Sequence, residues 1–325
     1  MNPHAMRRRS LLGSALLTPL ALPAWAQSYP SRPITLVVPS VAGGGTDVSA
    51  RAIAQEVSKR LGQSVVVENL PGASGGIGAA KVARATPDGY TLLVANSDVV
   101  LAPLVHQNAG YRLTELLPIA KVTSAAQSLI ARPGLAASNV EQLIALAKAN
   151  PGRITVGVSG LATLPALAVA MFEEAAQIDL LKVPYKGAAQ VMTDLLGGQL
   201  DLAVTAIVNS LGAVRAGQAK MIGVMSPERL AIAPELPRFA DTAATRQVSI
   251  DIWLGIFGPA GLPAPIAAQI NAAVRSVLTD PAYLASRAKT GETPSRPESV
   301  EEFGRFVAGE SVRYREAARR LPMEQ

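Results

Sequence analysis

The feature that most constrains this chain is a repeated order of apolar strand, turn and amphipathic helix. It first occurs in ITLVVPSVAGGGTDVSARAIAQEV (34–57), and further apolar strands follow as TLLVAN (91–96), RITVGVSG (153–160) and LDLAVTAI (200–207). Short strands spaced by helices are typical of parallel sheets covered by helices. We therefore predict an α/β fold, and the succession of two such blocks indicates two lobes.

Hydrophobic periodicity predicts helices over about 47–61, 77–85 and 164–176. SVVVEN (64–69) reads as a strand in a sheet that is covered on both sides. The long apolar segment 249–261 is expected to return to the first lobe, with Trp253 in the core. We therefore assign residues 27–127 and 249–325 to lobe 1 and residues 128–248 to lobe 2.

The first 26 residues have the pattern of a secretory signal peptide. Arg7, Arg8 and Arg9 precede a short apolar run, and Ala24-Trp25-Ala26 ends it, so cleavage is expected before Gln27. Export to the periplasm through the Sec route or, given the paired arginines, the twin-arginine route is expected. No later segment is long and apolar enough to span a bilayer, so we predict a protein that is not inserted in the membrane.

Composition excludes several function classes. Removing the leader lowers the formal charge from +6 to about +3, and no basic cluster is interleaved with aromatic residues, so nucleic acid is not an expected partner. The chain has no cysteine, and His106 is the one histidine after residue 26, which disfavours a zinc site or a Ser–His–acid triad. We expect no cofactor and no metal, and a monomer.

The first candidate binding loop joins the strand at 34–38 to the following helix. Glycines allow a tight turn and close approach to a ligand, and the open N–H groups of a helix N-terminus suit an anion. Asp47 is either an acid of the first helical turn or a partner for a ligand ammonium group. The candidates in this loop are Ser40, Val41, Ala42, Gly43, Gly44, Thr46 and Asp47.

A second candidate loop opens the helix at 164–176 in the same way. The sequence Gly157-Val158-Ser159-Gly160-Leu161 lacks the final glycine of a nucleophile elbow, so an anion cradle is favoured over an esterase site. Other strand ends supply polar candidates, and Lys186 beside them could steer anions. The candidates are Ser159, Gly160, Leu161, Ala162 and Thr163 in this loop, with Ser97, Tyr185 and Thr205 at other strand ends.

A third glycine-rich segment, PGASGGIG (71–78), is interpreted as a structural turn. A dinucleotide fingerprint would require glycine or alanine at the position of Lys81, and the segment also lies too far from the strand before it.

Four motifs in order resemble the Bug/TctC family, the periplasmic solute-binding receptors of tripartite tricarboxylate transporters. They are VVPSVAGGGTDVSAR, VVVENLPGASGGIGAAKVARATPDGYTLL, KVPYKG with DLLGGQLDL, and IWLGIFGPAGLP, and they cover the chain from about residue 29 to its last helix. The resemblance implies a two-lobed Venus-flytrap fold of periplasmic binding protein type II. Each lobe would be a mostly parallel sheet flanked by helices.

The resemblance also implies that main-chain N–H groups of Ser40–Asp47 and Val158–Thr163 hold a carboxylate in the cleft between the lobes. Relatives often have Gly-Asn-Gly-Ser and a His-Leu pair where this chain has Gly160-Leu161-Ala162-Thr163 and Ala166-Leu167. The less polar second loop favours a ligand with an apolar or aromatic part.

The expected function is therefore that of an extracytoplasmic receptor, and not an enzyme. It would bind a dicarboxylate, a tricarboxylate or an aromatic acid and deliver it to the membrane permease subunits of a tripartite transporter. Two alternatives remain open at this stage: a periplasmic sensor that docks to a signalling partner, and a hydrolase on the same scaffold.

Overall fold

The computed structural model describes residues 29–230, 232–290 and 293–321. Within these ranges strands and helices alternate as the sequence predicts. The predicted signal peptide, 1–26, lies outside them. The strands are β1 (Ile34–Val38), β2 (Val65–Asn69), β3 (Thr91–Asn96), β4 (Leu116–Ala131), β5 (Thr155–Val158), β6 (Leu181–Pro184), β7 (Leu202–Ala206), β8 (Lys220–Val224), β9 (Asp251–Pro259) and β10 (Thr293–Pro294).

The predicted helices agree with the observed ones to within two residues at each end. The helices are α1 (Gly45–Leu61), α2 (Gly76–Ala83), α3 (Asp98–Val105), α4 (Val140–Ala149), α5 (Leu164–Ala176), α6 (Ala188–Leu196), α7 (Ile207–Arg215), α8 (Ala264–Leu278), α9 (Pro281–Thr290) and α10 (Val300–Ala318).

The sheet is mixed, with parallel strands at its two ends and antiparallel strands in its centre. The strand order is β2-β1-β3-β9-β4-β7-β5-β6, and β8 and β10 also pair with β4. β1 is parallel to β2 and β3, and β5 is parallel to β6 and β7, as predicted. β9 and β4 run antiparallel to their neighbours. The fold is thus α/β as predicted, but its centre is formed by strands that cross between the two parallel groups.

β4 takes part in both halves of the sheet. Its first part, Leu116–Ala126, pairs with β9, whereas Gln127–Ala131 pairs with β7. The change of partner falls between Ala126 and Gln127, one residue before the predicted boundary between lobe 1 and lobe 2. The lobe ranges themselves stay a prediction.

β2 differs from its expected environment. It lies at one end of the sheet, and Val66 is 54% exposed instead of covered on both faces. An edge strand has one neighbour, so its apolar composition does not by itself secure burial.

The core contains Trp253, as predicted. Its side chain is fully buried in β9 and packs against the rings of Phe257, Phe303 and Phe306. A single apolar cluster joins this region to α3, α5 and α10, and a second cluster packs α1 and α8 on the other face of β1 and β3. Among the described helices, none has the length and apolar content needed to cross a bilayer.

Candidate functional site

The loop after β1 leads into a helix whose N-terminus is not capped by a side chain. α1 begins at Gly45, and Gly44 before it makes no side-chain capping hydrogen bond. Gly43 has φ of +79°, a left-handed conformation that favours glycine. The first N–H groups of a helix have no intrahelical acceptor, so Gly45 and Thr46 present donors at this point.

Asp47 forms hydrogen bonds that link this loop to α1 and β2. Its side chain is nearly fully buried and accepts hydrogen bonds from Gly43 N (2.8 Å), Arg51 Nε (3.0 Å) and Asn69 Nδ2 (2.8 Å). Burial alone would raise the pKa of Asp47, but these hydrogen bonds lower it overall. Asp47 is thus an acid of the first helical turn, as one of its two predicted roles requires, and its contact with a ligand stays a prediction.

The loop after β5 leads into α5 by a similar route. Gly160 has φ of +109°, and the Thr163 hydroxyl donates to the Gly160 carbonyl (2.8 Å), so it does not cap the helix. The first N–H group of α5, that of Leu164, donates to Asp98 Oδ1 at 3.0 Å. The N-terminus of α5 is therefore capped by a carboxylate from another part of the chain, Asp98 at the start of α3.

Asp98 lines the candidate site but is not among the residues predicted from the sequence. It is partly buried, its Oδ2 accepts from Asn96 Nδ2 (3.0 Å), and its own N–H donates to Asn96 Oδ1 (3.1 Å). Burial raises the pKa of Asp98, although the hydrogen bonds from Leu164 and Asn96 oppose this effect. The polar run Asn96-Ser97-Asp98 directly after an apolar strand was the available signal, of which the sequence analysis selected Ser97 alone.

Loops from both halves of the sheet meet around two adjoining cavities of about 420 and 400 Å³. These volumes lie in the range of small-molecule binding sites. The residues that line both cavities are Ser40, Thr46, Asn96, Asp98, Ser159, Thr163 and Lys186.

About half of the predicted binding residues line this cleft. They are Ser40, Thr46, Ser159, Gly160, Ala162, Thr163 and Tyr185. The others line neither cavity: these are Val41, Ala42, Gly43, Gly44, Asp47, Ser97, Leu161 and Thr205.

The reasons differ from one residue to the next. The side chains of Val41 and Ala42 are exposed, Ser97 is fully buried, and Thr205 is buried with its Oγ1 accepting from Asn209 Nδ2 at 3.0 Å. Sequence reasoning placed polar residues at the correct strand ends, but the direction in which each side chain points depends on local pairing.

The third glycine segment is a structural turn, as interpreted, and it also contributes to the cleft wall. Gly72 and Gly75 have φ of +126° and +93°, and both line the larger cavity. A Cβ atom at Gly78, in the first turn of α2, would lie 2.9 Å from Pro39 Cβ, so the start of α2 packs closely against the residue that follows β1.

The cleft contains one acidic and one basic side chain among the described residues that line it, Asp98 and Lys186. Lys186 is exposed. Tyr185 lines the larger cavity, and its hydroxyl donates to Asp194 Oδ2 at 2.6 Å. This hydrogen bond, together with burial, raises the pKa of Tyr185. The described lining includes no histidine, and no group of three potential metal ligands occurs among the described residues.

The arrangement can hold a small polar molecule between two sets of strand-end loops. Open main-chain donors at α1 and the Lys186 ammonium group favour an anionic group, and apolar atoms of Ala95, Val99 and Ala162 cover the larger cavity.

Comparison with solved structures shows the same architecture in periplasmic binding proteins. The periplasmic binding protein BugD matches with a TM-score of 0.78 and 33% identity, over 90% of this chain and 98% of that one. Rpa4515 of R. palustris with adipate matches with a TM-score of 0.81 and 28% identity, over 90% and 99% of the two chains. MatC of Rhodopseudomonas palustris with bound malate matches with a TM-score of 0.76 and 30% identity, over 89% and 99%.

These likenesses establish the two-lobed fold of periplasmic binding proteins for this chain. The model of the tripartite tricarboxylate transporter family receptor, TctC, matches residues 49–321. This match covers most of the chain and includes α1 from residue 49 onwards, the loop before α5 and the recrossing strand β9. The chain therefore belongs to the TctC family of tripartite tricarboxylate transporter receptors.

Proposed function

We propose that this protein is an extracytoplasmic receptor that binds a small carboxylate in the cleft between the two halves of its sheet. The observation that carries the proposal is the uncapped N-terminus of α1, whose residues Gly45 and Thr46 line a cavity. Ser159, Thr163 and Lys186 line the same cavity from the other half of the sheet. Backbone N–H groups and the helix dipole stabilise a carboxylate without an arginine. Similar proteins with bound adipate and malate support this ligand class.

The receptor would close by a hinge motion at the strands that cross between the lobes, and then deliver its ligand to the permease subunits of a tripartite transporter. A ligand that contacts both lobes favours the closed state by its differential affinity. The protein would act in the periplasm as a monomer, after removal of residues 1–26.

The test is a thermal-shift screen of the protein from Gln27 onwards, unfolded and refolded to remove bound ligand. The panel contains C4–C8 dicarboxylates, citrate, acidic amino acids and aromatic acids, with matched neutral amides as controls. A carboxylate at a hundred times its Kd should add about 2.7 kcal/mol of stability, a shift of several degrees. A folded protein that responds to no carboxylate, or equally to the amides, would contradict the proposal.

Delivery is tested separately in vesicles that contain the permease subunits. Uptake of the carboxylate found in the screen should require the receptor. If uptake is independent of it, the role of a sensor becomes the better interpretation.

A further inference from the structure

The two helix N-termini at the cleft differ in a way that bears on the ligand. No side chain caps α1 at Gly44, whereas α5 receives the Asp98 carboxylate through Leu164 N–H. A carboxylate from the chain itself therefore already engages the first N–H group of α5, where the helix dipole would otherwise favour a carboxylate of the ligand.

The Asp98 carboxylate is fixed at the cleft wall. Its two oxygens accept from separate donors, Leu164 N and Asn96 Nδ2, at 3.0 Å each. Asp98 and Asn96 both line the two adjoining cavities, so a ligand that fills them lies against this carboxylate. Among the described residues that line the two cavities, Lys186 is the one with a positive charge, and it belongs to the other half of the sheet.

We propose that Asp98 is a specificity-determining residue that selects a ligand with one carboxylate over a ligand with two. The assignment rests on the proposed function: the single carboxylate binds at α1, and the end of the ligand nearest Asp98 carries a hydrogen-bond donor or no charge. A second carboxylate there would meet Asp98 and find the Leu164 N–H already engaged. Like charges placed together at an interface are strongly unfavourable, and a loss of at least about tenfold in affinity is expected.

This inference narrows the ligand class expected from the sequence. A hydroxy acid, an amino acid or an aromatic monocarboxylate fits the described charges, and a dicarboxylate or tricarboxylate does not. Ala162 of the less polar second loop lines the larger cavity, which is consistent with an uncharged group at this end.

The test uses two sets of probes with matched carbon chains. One set is hexanoate, 6-aminohexanoate and adipate, and the other is butanoate, 4-aminobutanoate and succinate. Their Kd values are measured by calorimetry on the refolded protein and on Asp98→Asn, which removes the charge but keeps the shape and an acceptor for Leu164 N–H. Glu141→Gln serves as the control, because it removes one negative charge from an exposed position on α4 that lines neither cavity.

In the wild-type protein and in Glu141→Gln, the monocarboxylate or amino acid of at least one set should bind at least about tenfold more tightly than its dicarboxylate. In Asp98→Asn, the ratio of dicarboxylate affinity to monocarboxylate affinity should rise at least about tenfold. The ratio of amino-acid affinity to monocarboxylate affinity should fall. If Asp98→Asn does not fold, Asp98→Ser, which also offers a neutral acceptor to Leu164, replaces it with the same expectation.

Two outcomes would overturn the assignment, and they are distinguishable. If the probes bind but their affinity ratios are the same in wild type and in the Asp98 variants, Asp98 does not determine specificity and the proposed function stands. If neither these probes nor any carboxylate of the screen binds folded protein, the proposed function fails and the assignment fails with it.

Discussion

Asp47 and Asp98 lie in the first turns of two helices and differ in role because their surroundings differ. Asp47 accepts three hydrogen bonds within its own loop and strand neighbourhood, and its pKa is lowered. Asp98 accepts two hydrogen bonds at the cleft, and burial raises its pKa. The first carboxylate therefore stabilises the folded loop when ionised, whereas the second places a less favourable charge where a ligand would bind.

Asp47→Asn is expected to reduce the free energy of unfolding by about 1–3 kcal/mol at pH 7, because it weakens hydrogen bonds to a buried charge. The folded pKa lies below the unfolded value of about 3.9, so this contribution is complete above that pH. It is lost as the pH falls through the folded pKa. Urea unfolding of wild type and variant between pH 7 and pH 2 measures the difference, and a difference that does not narrow on acidification would contradict the assignment.

Gly45 allows a direct test of the main-chain donor at α1. It is the first residue of the helix, Gly44 before it has φ −71° and ψ 163°, and a Cβ at Gly45 would meet no atom within 4 Å. Proline fits this position and removes the N–H group, whereas alanine fits and keeps it. Gly45→Pro should lower carboxylate affinity by roughly tenfold or more, as expected for a hydrogen bond to a charged group.

Gly45→Ala is the matched control and should bind like wild type. Equal affinities for the proline and alanine variants in calorimetry would show that the Gly45 N–H is not a ligand donor.

At the scale of elements, α10 and β9 show how one helix anchors the strand that recrosses the sheet. Ser299 and Glu302 form a reciprocal capping box at the start of α10, and Phe303 on its buried face packs against Trp253 in β9. Gly255 in β9 permits this approach, since a Cβ there would lie 2.5 Å from Phe303 Cζ. Gly309 lies exposed on α10, and a Cβ there would meet no atom within 4 Å.

The same chemical change should therefore have opposite effects at these two glycines. Gly309→Ala is expected to stabilise the protein by about 1 kcal/mol, because alanine is the better helix former. Gly255→Ala should destabilise it by about 1–3 kcal/mol through overpacking against Phe303. Thermal unfolding of the two variants beside wild type makes the comparison, and shifts of the same sign would refute this account of the contact.

At the scale of the whole molecule, the two halves of the sheet share both a strand and a core. β4 pairs with β9 through one part and with β7 and β8 through the other. The larger apolar cluster includes residues of α5 together with residues of α3, α10 and β9. Contacts of this extent couple the stability of the two halves, so we expect them to unfold together.

Leu167→Ala tests this coupling. Leu167 is fully buried in α5, and its truncation should cost about 2–5 kcal/mol. From residue 27 onwards Trp253, in the other half of the sheet, is the one tryptophan, so its fluorescence reports on β9. Unfolding followed by Trp253 fluorescence and by far-ultraviolet circular dichroism should shift equally. Separate transitions, with the Trp253 signal unaffected, would show that the halves unfold independently.

Much of the fold could be predicted from the sequence because its signals are local. Apolar runs, glycine turns and helical periodicity place α1, α2 and α5 within two residues of their observed limits, and the four family motifs imply the two-lobed architecture. β4 was not recognised as a strand, although its 16 residues form the centre of the sheet. Its mixture of apolar and small polar residues has no clean period, and its pairing with β9 and β8 shifts register at several points along its length.

The sequence by itself determined the strand ends at which polar residues collect, and therefore the two loops that meet at the cleft. Tertiary structure alone decided which of those residues face the cleft, placing Asp47 in a loop network, burying Ser97 and bringing Asp98 to the start of α5. The physical reason is that a turn or a helix start depends on neighbours in sequence. The partner of a carboxylate depends on which donors the fold brings within about 3 Å, and Asp98 and Leu164 are 66 residues apart in the chain.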